Sequence, residues 1–301
     1  MLEREISDWR LQLDWDFRAS AELVRRFVTM RALNGYALLD SGVAEGYSYF
    51  VCEEGKGLIG DLYLVEKHRT IENENRLLTA VLESLMRIPY LERIESQLMM
   101  LLQPALPRPL PYTEYLTIHR RNLMVIEATS AAALPRGQSC KKVLLEKWAE
   151  RWQEAAAQLI TDAYRGHIDS SINNQYRSAP GARRFLSNVV QYPGCGTFFQ
   201  PASYLAFDAE TSRLCGLSLA SLLSYDAGHI TQICVAPYIQ GLGVGYELLR
   251  HSLASLVESG CRRISLSVTD ENRRAVRLYE RVGFETGRTF AAMVWEGFQR
   301  G

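Results

Sequence analysis

Three glycines at alternate positions, Gly241, Gly243 and Gly245, follow Gln240 and lead directly into a helical pattern. Missing β-carbons let an oxyanion approach the main chain. The first helical turn adds outward N–H groups at the positive end of its dipole. The chemistry such a run suits is phosphate binding. Two common phosphate loops are excluded: the dinucleotide fingerprint would need glycine at Tyr246, and the P-loop would need a Lys-Ser/Thr pair. What remains is Q-x-x-G-x-G, preceded by Val235-Ala236-Pro237.

Two elements must position this loop. Before it, His229-Ile230-Thr231-Gln232-Ile233-Cys234-Val235 is β-branched and apolar, as a buried strand should be, and Pro237 ends the run because it lacks a ladder N–H. After it, Val244, Leu248, Leu249, Leu253, Leu256 and Val257 mark one helical face. A further strand, Ile264–Val268, precedes Asn272-Arg273-Arg274-Ala275-Val276-Arg277-Leu278-Tyr279, which ends at Gly283-Phe284. Asn272, Ala275, Val276 and Tyr279 share one helical face, and Gly283 stands where a helix-ending glycine is expected.

The two motifs, in this order and with this spacing, resemble the acetyl-CoA loop and the N-x-x-A-x-x-L-Y-x-x-x-G-F segment of the GNAT (Gcn5-related N-acetyltransferase) superfamily. The resemblance implies an N-acetyltransferase with acetyl-CoA as cosubstrate. It implies cofactor contacts from Ile233, Cys234 and Val235, from Gln240, Gly241, Leu242, Gly243, Val244 and Gly245, and from Asn272, Ala275 and Tyr279. Tyr279 is the implied acid for the departing thiolate, since a phenol of pKa near 10 is protonated at neutral pH. A tyrosine at helical spacing is also an ordinary core residue. The family's glutamate base has no counterpart, because the matching places hold His229 and Ser267. His229 could take a proton directly or through water, and a water chain polarised by backbone carbonyls is an equal alternative. Asn272 caps its helix or fixes the cofactor arm. His251 is expected at the surface. In the family the segment between the first two helices lines the acceptor site, which here is Arg165–Gly196. It contains His167, a candidate substrate contact, and one acidic residue, Asp169, which speaks against a polycationic antibiotic as acceptor.

The remaining chain suggests an α/β (α+β) protein of two tandem GNAT-like domains, each a central mixed twisted sheet flanked by helices. At 301 residues it is long enough for two domains of ~150 residues. A strand is expected at Trp9–Trp15, a helix at Ser20–Arg31, a hairpin of Tyr47–Cys52 and Leu58–Val65, a helix at Asn75–Arg87 and a strand at Arg93–Leu98. Tyr115–Glu127 reads as two strands. Asp61–Val65, the leucines Leu77, Leu78, Leu82 and Leu85, and Glu92–Ser96 repeat the later strand, helix and strand at an offset of about 170. The first copy has His68-Arg69-Thr70-Ile71-Glu72-Asn73-Glu74-Asn75 in place of the glycine loop, and its carboxylates and β-carbons oppose a pyrophosphate. The proline-rich Gln103–Pro111 replaces the second motif. The domains expected are therefore 1–130, degenerate and without cofactor, a linker at 131–140, and 141–301, which binds acetyl-CoA. The latter should open with a helix from Lys141 to Tyr164, continue through an irregular Arg165–Gly196, and then give strands at Tyr204–Phe207 and Leu214–Leu223.

Composition narrows the partners. Apolar residues make up 47%, and 34 basic residues balance 34 acidic ones, so no global field draws nucleic acid or an anionic membrane. No apolar run approaches a membrane span and the N-terminus is charged, so a cytoplasmic protein without signal peptide is expected. Six scattered cysteines suit reduced thiols, and no metal site is expected. The partner implied is a small-molecule or peptide amine, and a homodimer is compatible with the sequence. A second function class also fits, an acyl-CoA-binding regulatory module with little turnover.

Overall fold

The computed structural model describes residues 1–53, 55–102, 107–137, 142–192 and 194–299. The elements run α1 Leu2–Leu13, α2 Arg18–Thr29, β1 Asn34–Asp40, β2 Val43–Glu53, β3 Lys56–Leu64, α3 Ile71–Met86, β4 Arg93–Gln97, β5 Leu116–Glu127 and α4 Ala128–Ala132. They continue β6 Val143–Lys147, α5 Gln153–Ala163, α6 Asp169–Ile172, α7 Ala179–Gln191, β7 Thr197–Phe198, β8 Tyr204–Asp208 and β9 Leu214–Leu222. The last are β10 Ala227–Val235, α8 Val244–Glu258, β11 Arg263–Thr269, α9 Arg273–Val282 and β12 Glu285–Glu296. Among the described residues no helix is long and apolar enough to cross a membrane.

The chain forms two compact units, Met1–Arg121 with Thr289–Gly301, and Asn122–Arg288. This division differs from the break expected at 131–140, for a topological reason. The long strand β5 leaves the first unit and ends in the second, and β12 leaves the second and completes the first, beside β4. Residues 128–132 are helical, 133–137 are irregular, and 138–140 lie outside the described residues.

In the first unit the sheet order is β1-β2-β3-β4-β12, and in the second β5-β11-β10-β9-β8-β6, with β7 also on β9. The proposed repeat holds at the level of register. Parallel pairing runs from Lys56↔Arg93 to Ile59↔Ser96 in the first unit, and from Ala227↔Arg263 to Ile230↔Leu266 in the second. Each ladder stops one residue before a bulge, at Gly60 in β3 and at Thr231 in β10. A bulge bends its strand and ends local pairing, so β10 parts from β11 beyond Ile230. That parting is what opens the second unit.

The first unit closes the equivalent place. Leu62, Leu64, Leu98 and Leu101 are at most 4% exposed and share one core with Leu77, Leu78, Val81 and Leu82 of α3. Thr70 caps α3 by accepting the Asn73 N–H at 3.1 Å. Glu74 accepts from Leu102 N and from Arg108, a pair with both side chains 2% exposed. The start of α3 is therefore occupied by the protein's own groups, and Arg108 comes from the proline-rich segment expected to replace the second motif. Residues 103–106 of that segment lie outside the described residues.

Several expectations are corrected. Trp9–Trp15 is not a strand: Glu5, Trp9 and Leu13 are buried at i, i+4, i+8, the face of α1. The expected helix Lys141–Tyr164 is β6, a 3-10 turn and α5; exposed Leu144 and Glu146 alternate with half-buried residues in β6, a period of two. Lys141 itself lies outside the described residues. Arg165–Gly196 contains α7, capped by Ser178 on Gly181 N, with Pro180 in its first turn. Tyr115–Glu127 is one strand after a short turn, and β1 was not anticipated.

Against α1 the first unit buries two carboxyl groups. Glu5 and Asp61 hydrogen-bond to each other, and Tyr47 Oη donates to Glu5 at 2.8 Å. Burial, then the Asp61 charge, pushes Glu5 up to about 10, so Glu5 carries the proton and donates to Asp61. The sign follows: an unfolded Glu5 loses its proton above its ordinary 4.5, whereas the folded one keeps it. The stability supplied by the neutral carboxyl is complete below pH 4.5 and is lost as pH rises toward about 10. We expect the melting temperature to fall between pH 5 and pH 9, and Glu5→Gln, which cannot ionise, to flatten that fall. Equal slopes by circular dichroism would contradict the assignment.

Candidate functional site

The opening of β10 from β11 leads into a cavity of about 730 Å3 within the second unit. Ile233, Cys234 and Val235 form one wall. Ala236 N donates to Cys215 on the β9 side, whereas the carbonyls of Ile233 and Val235 receive Tyr164 Oη (3.5 Å) and Gln240 Nε2 (3.2 Å). Peptide groups alternate along a strand, so the N–H groups of Ile233 and Val235 share the cavity side with those carbonyls.

The glycine loop forms the floor. Gly241 and Gly243 have φ of +85° and +86°, where a β-carbon is strained. A β-carbon on Gly241 would also stand 3.0 Å from the Arg274 guanidinium. Gly243 is the N-cap of α8 and offers no side-chain cap, unlike Thr70 on α3. The first turn of α8 is left with the polarity that favours an anion. Gln240 ties the loop down, donating to the Val235 carbonyl and accepting from Arg274 at 3.0 Å.

The second motif supplies the opposite wall. Asn272 accepts the Ala275 N–H at 3.2 Å and so caps α9, and Gly283, φ +102°, ends it by donating to Tyr279 and Glu280 carbonyls. Ala275 and Tyr279 line the cavity, as do Arg273, Arg274 and Arg281. Among the described lining residues Glu271 is the one carboxylate, so three guanidinium groups face one acid. That balance favours an anionic ligand.

Of the residues expected to hold the cofactor, Leu242 and Val244 do not line the cavity; they pack into the core and hold the loop from behind. His229 is corrected. It is 5% exposed, its Nδ1 is 2.8 Å from Ser265 Oγ, and it is not among the lining residues. His251 is partly buried beside Tyr204 and Arg250, away from the cavity. His167 does line it, next to Tyr164, and Arg274 was missed although it stands in the quoted motif. A guanidinium beside a glycine turn is a signal that charge counting alone does not reveal.

Two groups in the cavity are held protonated. Burial pushes the Cys234 thiol up, and burial, then Tyr176 and Asp169, pushes the Tyr164 phenol up. Thiolate is the reactive form of cysteine, so Cys234 is a wall and not a nucleophile.

The acetyltransferase (GNAT) family model matches residues 170–284. Mycothiol acetyltransferase of Corynebacterium jeikeium is 39% identical over 62 residues, 21% of this chain and 18% of that protein. That of Mycobacteroides abscessus is 34% identical over 98 residues, 32% of this chain and 33% of that protein. The chain thus spans a third or less of these relatives. A GCN5-related N-acetyltransferase from Sphaerobacter thermophilus superposes over 93% of this chain and 86% of its own, with a TM-score of 0.65 and 17% identity. A tandem GNAT protein from the clavulanic acid biosynthesis pathway covers 88% of this chain and 83% of its own, with a TM-score of 0.59 and 14% identity. These likenesses show the fold across both units, and the chain is accordingly a tandem protein of the GNAT fold whose second unit matches the acetyltransferase (GNAT) family model through residues 170–284.

Proposed function

We propose that the second unit catalyses direct transfer of an acetyl group from acetyl-CoA to the amine of a small molecule or peptide, in the cytoplasm. The observation that carries this reading is the meeting of the glycine loop, the β10 edge and Tyr279 in one cavity. The coenzyme supplies an activated acetyl group as a thioester. The fit rests on the uncapped start of α8, the glycines at positive φ and the arginines around them, which suit a pyrophosphate.

The chain's own groups then divide the work. Ile233 and Val235 offer N–H groups along the cofactor arm, and one of them can take up charge developing on a carbonyl oxygen. Tyr279 Oη gives its proton to the departing sulfur. The amine's proton leaves through water, since His229 lies outside the cavity. Cys234, kept protonated by burial, supports direct attack by the amine over a covalent acyl-enzyme.

Calorimetry with acetyl-CoA should give one site per chain, because Glu74, Arg108 and the Thr70 cap occupy the start of α3. Two equivalent sites would contradict this. Gly243→Val should abolish binding, since valine at φ +86° is strained and its branches reach toward the phosphate; unchanged affinity would remove the loop assignment.

Tyr279→Phe keeps the ring and loses the donor, so turnover should fall by ~10²–10⁴-fold with cofactor affinity nearly intact. A change below about threefold would make Tyr279 structural or replaceable by water. His229→Gln, in contrast, should leave the pH profile of kcat/KM unaltered, and loss of its acidic limb would restore His229 as the base.

A further inference from the structure

One cavity residue has a ring nitrogen engaged by a neighbouring backbone amide. α5 ends before Gly166, whose φ of +71° turns the chain so that His167 lines the cavity that Tyr279 also lines. The backbone N–H of Asp169 donates to His167 Nδ1 at 3.1 Å. An amide nitrogen can only donate, so Nδ1 must present its lone pair, and the proton of the neutral ring sits on Nε2. The ring is held further by Tyr164, edge-on at 5.2 Å and 89°. The Asp169 side chain is held in turn, accepting from Thr269 Oγ1 at the buried end of β11. A general base needs the lone pair on the nitrogen that meets substrate. Here that pair is taken up inside the turn.

We propose that His167 is a specificity-determining donor: its Nε2–H fixes an acceptor that carries, besides the amine, a hydrogen-bond-accepting oxygen. This deepens the transferase reading and rests on it. A site built to donate one hydrogen bond discriminates against an analogue lacking the oxygen, because the half-buried donor, once covered by that analogue, is cut off from water and left unpaired. The surrounding groups agree with a neutral, oxygen-bearing acceptor. Tyr164 stacks on Tyr176 at 4.5 Å, Gln232 Nε2 donates to Tyr164 Oη at 3.1 Å, and Asp169 is the single acid of the segment.

The test uses the full chain with acetyl-CoA and two amines on six-membered rings, glucosamine, which offers oxygens around the ring, and cyclohexylamine, which offers none. Wild-type kcat/KM should favour glucosamine. His167→Ala should erase that preference through KM, by roughly tenfold, whereas His167→Gln, whose amide can still donate, should keep most of it. Nitrogen-15 spectra of the histidine rings, with the His167 signal identified by its loss in His167→Gln, should show the proton on Nε2. A proton on Nδ1 would overturn the proposal. So would equal loss of kcat for both amines in both variants, the signature of a base. If the wild type acetylates neither amine, the donor is tested apart from turnover, and glucosamine is titrated into the CoA-bound enzyme. A shift of the His167 Nε2 signal then supports the donor, and no shift overturns it.

Discussion

Parallel pairing between β10 and β11 ends at Ile230, and the residue after it, Thr231, is bulged. The site depends on that interruption. A continuous ladder would satisfy the cavity-side peptide groups of Ile233 and Val235 within the sheet and leave no room for a ligand arm. Once the strands part, those groups become a recognition edge. The short turn after Val235 then places Gly243 at the head of α8. The separation of β11 sets α9, and with it Tyr279, on the far side of the same opening. The places of the glycine loop, strand edge and phenol all follow from one bulge.

The first unit shows what the same backbone does without a ligand. Its bulge at Gly60 ends pairing at the equivalent register, yet the place is filled. Leu62, Leu64, Leu98 and Leu101 are buried there, each contributing about 1.5–3 kcal/mol by removal from water. The polar end of α3 is met by Thr70 and by the Glu74–Arg108 pair. Two charges at 2% exposure are costly unless well paired, and Glu74 has both a guanidinium and the Leu102 N–H. One unit is thus closed by its own side chains, while its partner in sequence keeps an opening that a ligand must complete.

Motifs carried by backbone chemistry were the most legible. Asn272, read as a cap or a holder of the cofactor arm, is the N-cap of α9, and Gly283 ends that helix as expected, while Gly241 and Gly243 add a positive φ that the spacing alone does not predict. The repeat was legible because buried leucines tolerate little change in spacing. Edge elements were not. β1 and β6 are exposed edge strands whose weak alternation resembles loop or helix, and α1 hides a three-residue buried stripe behind a tryptophan spacing that also suits a strand. The division of units escaped because β5 and β12 exchange by topology, which leaves no local trace in composition.

Histidine roles were the least legible, since a ring's function is set by which nitrogen is already engaged. The Ser265 hydroxyl lies 2.8 Å from His229 Nδ1 and 3.4 Å from the Gly228 carbonyl, so this ring nitrogen is engaged inside the sheet. At His167 the Asp169 amide takes the Nδ1 lone pair instead, and the proton moves to Nε2. The buried ring lies outside the cavity, whereas the His167 ring lines it. Cys234 and Tyr164 are also held protonated by burial, and Tyr164 gives its proton to the Ile233 carbonyl. The His167 ring is the group here whose second nitrogen is left to face the cavity, which is why its engaged nitrogen, more than its place in the sequence, sets what it can do.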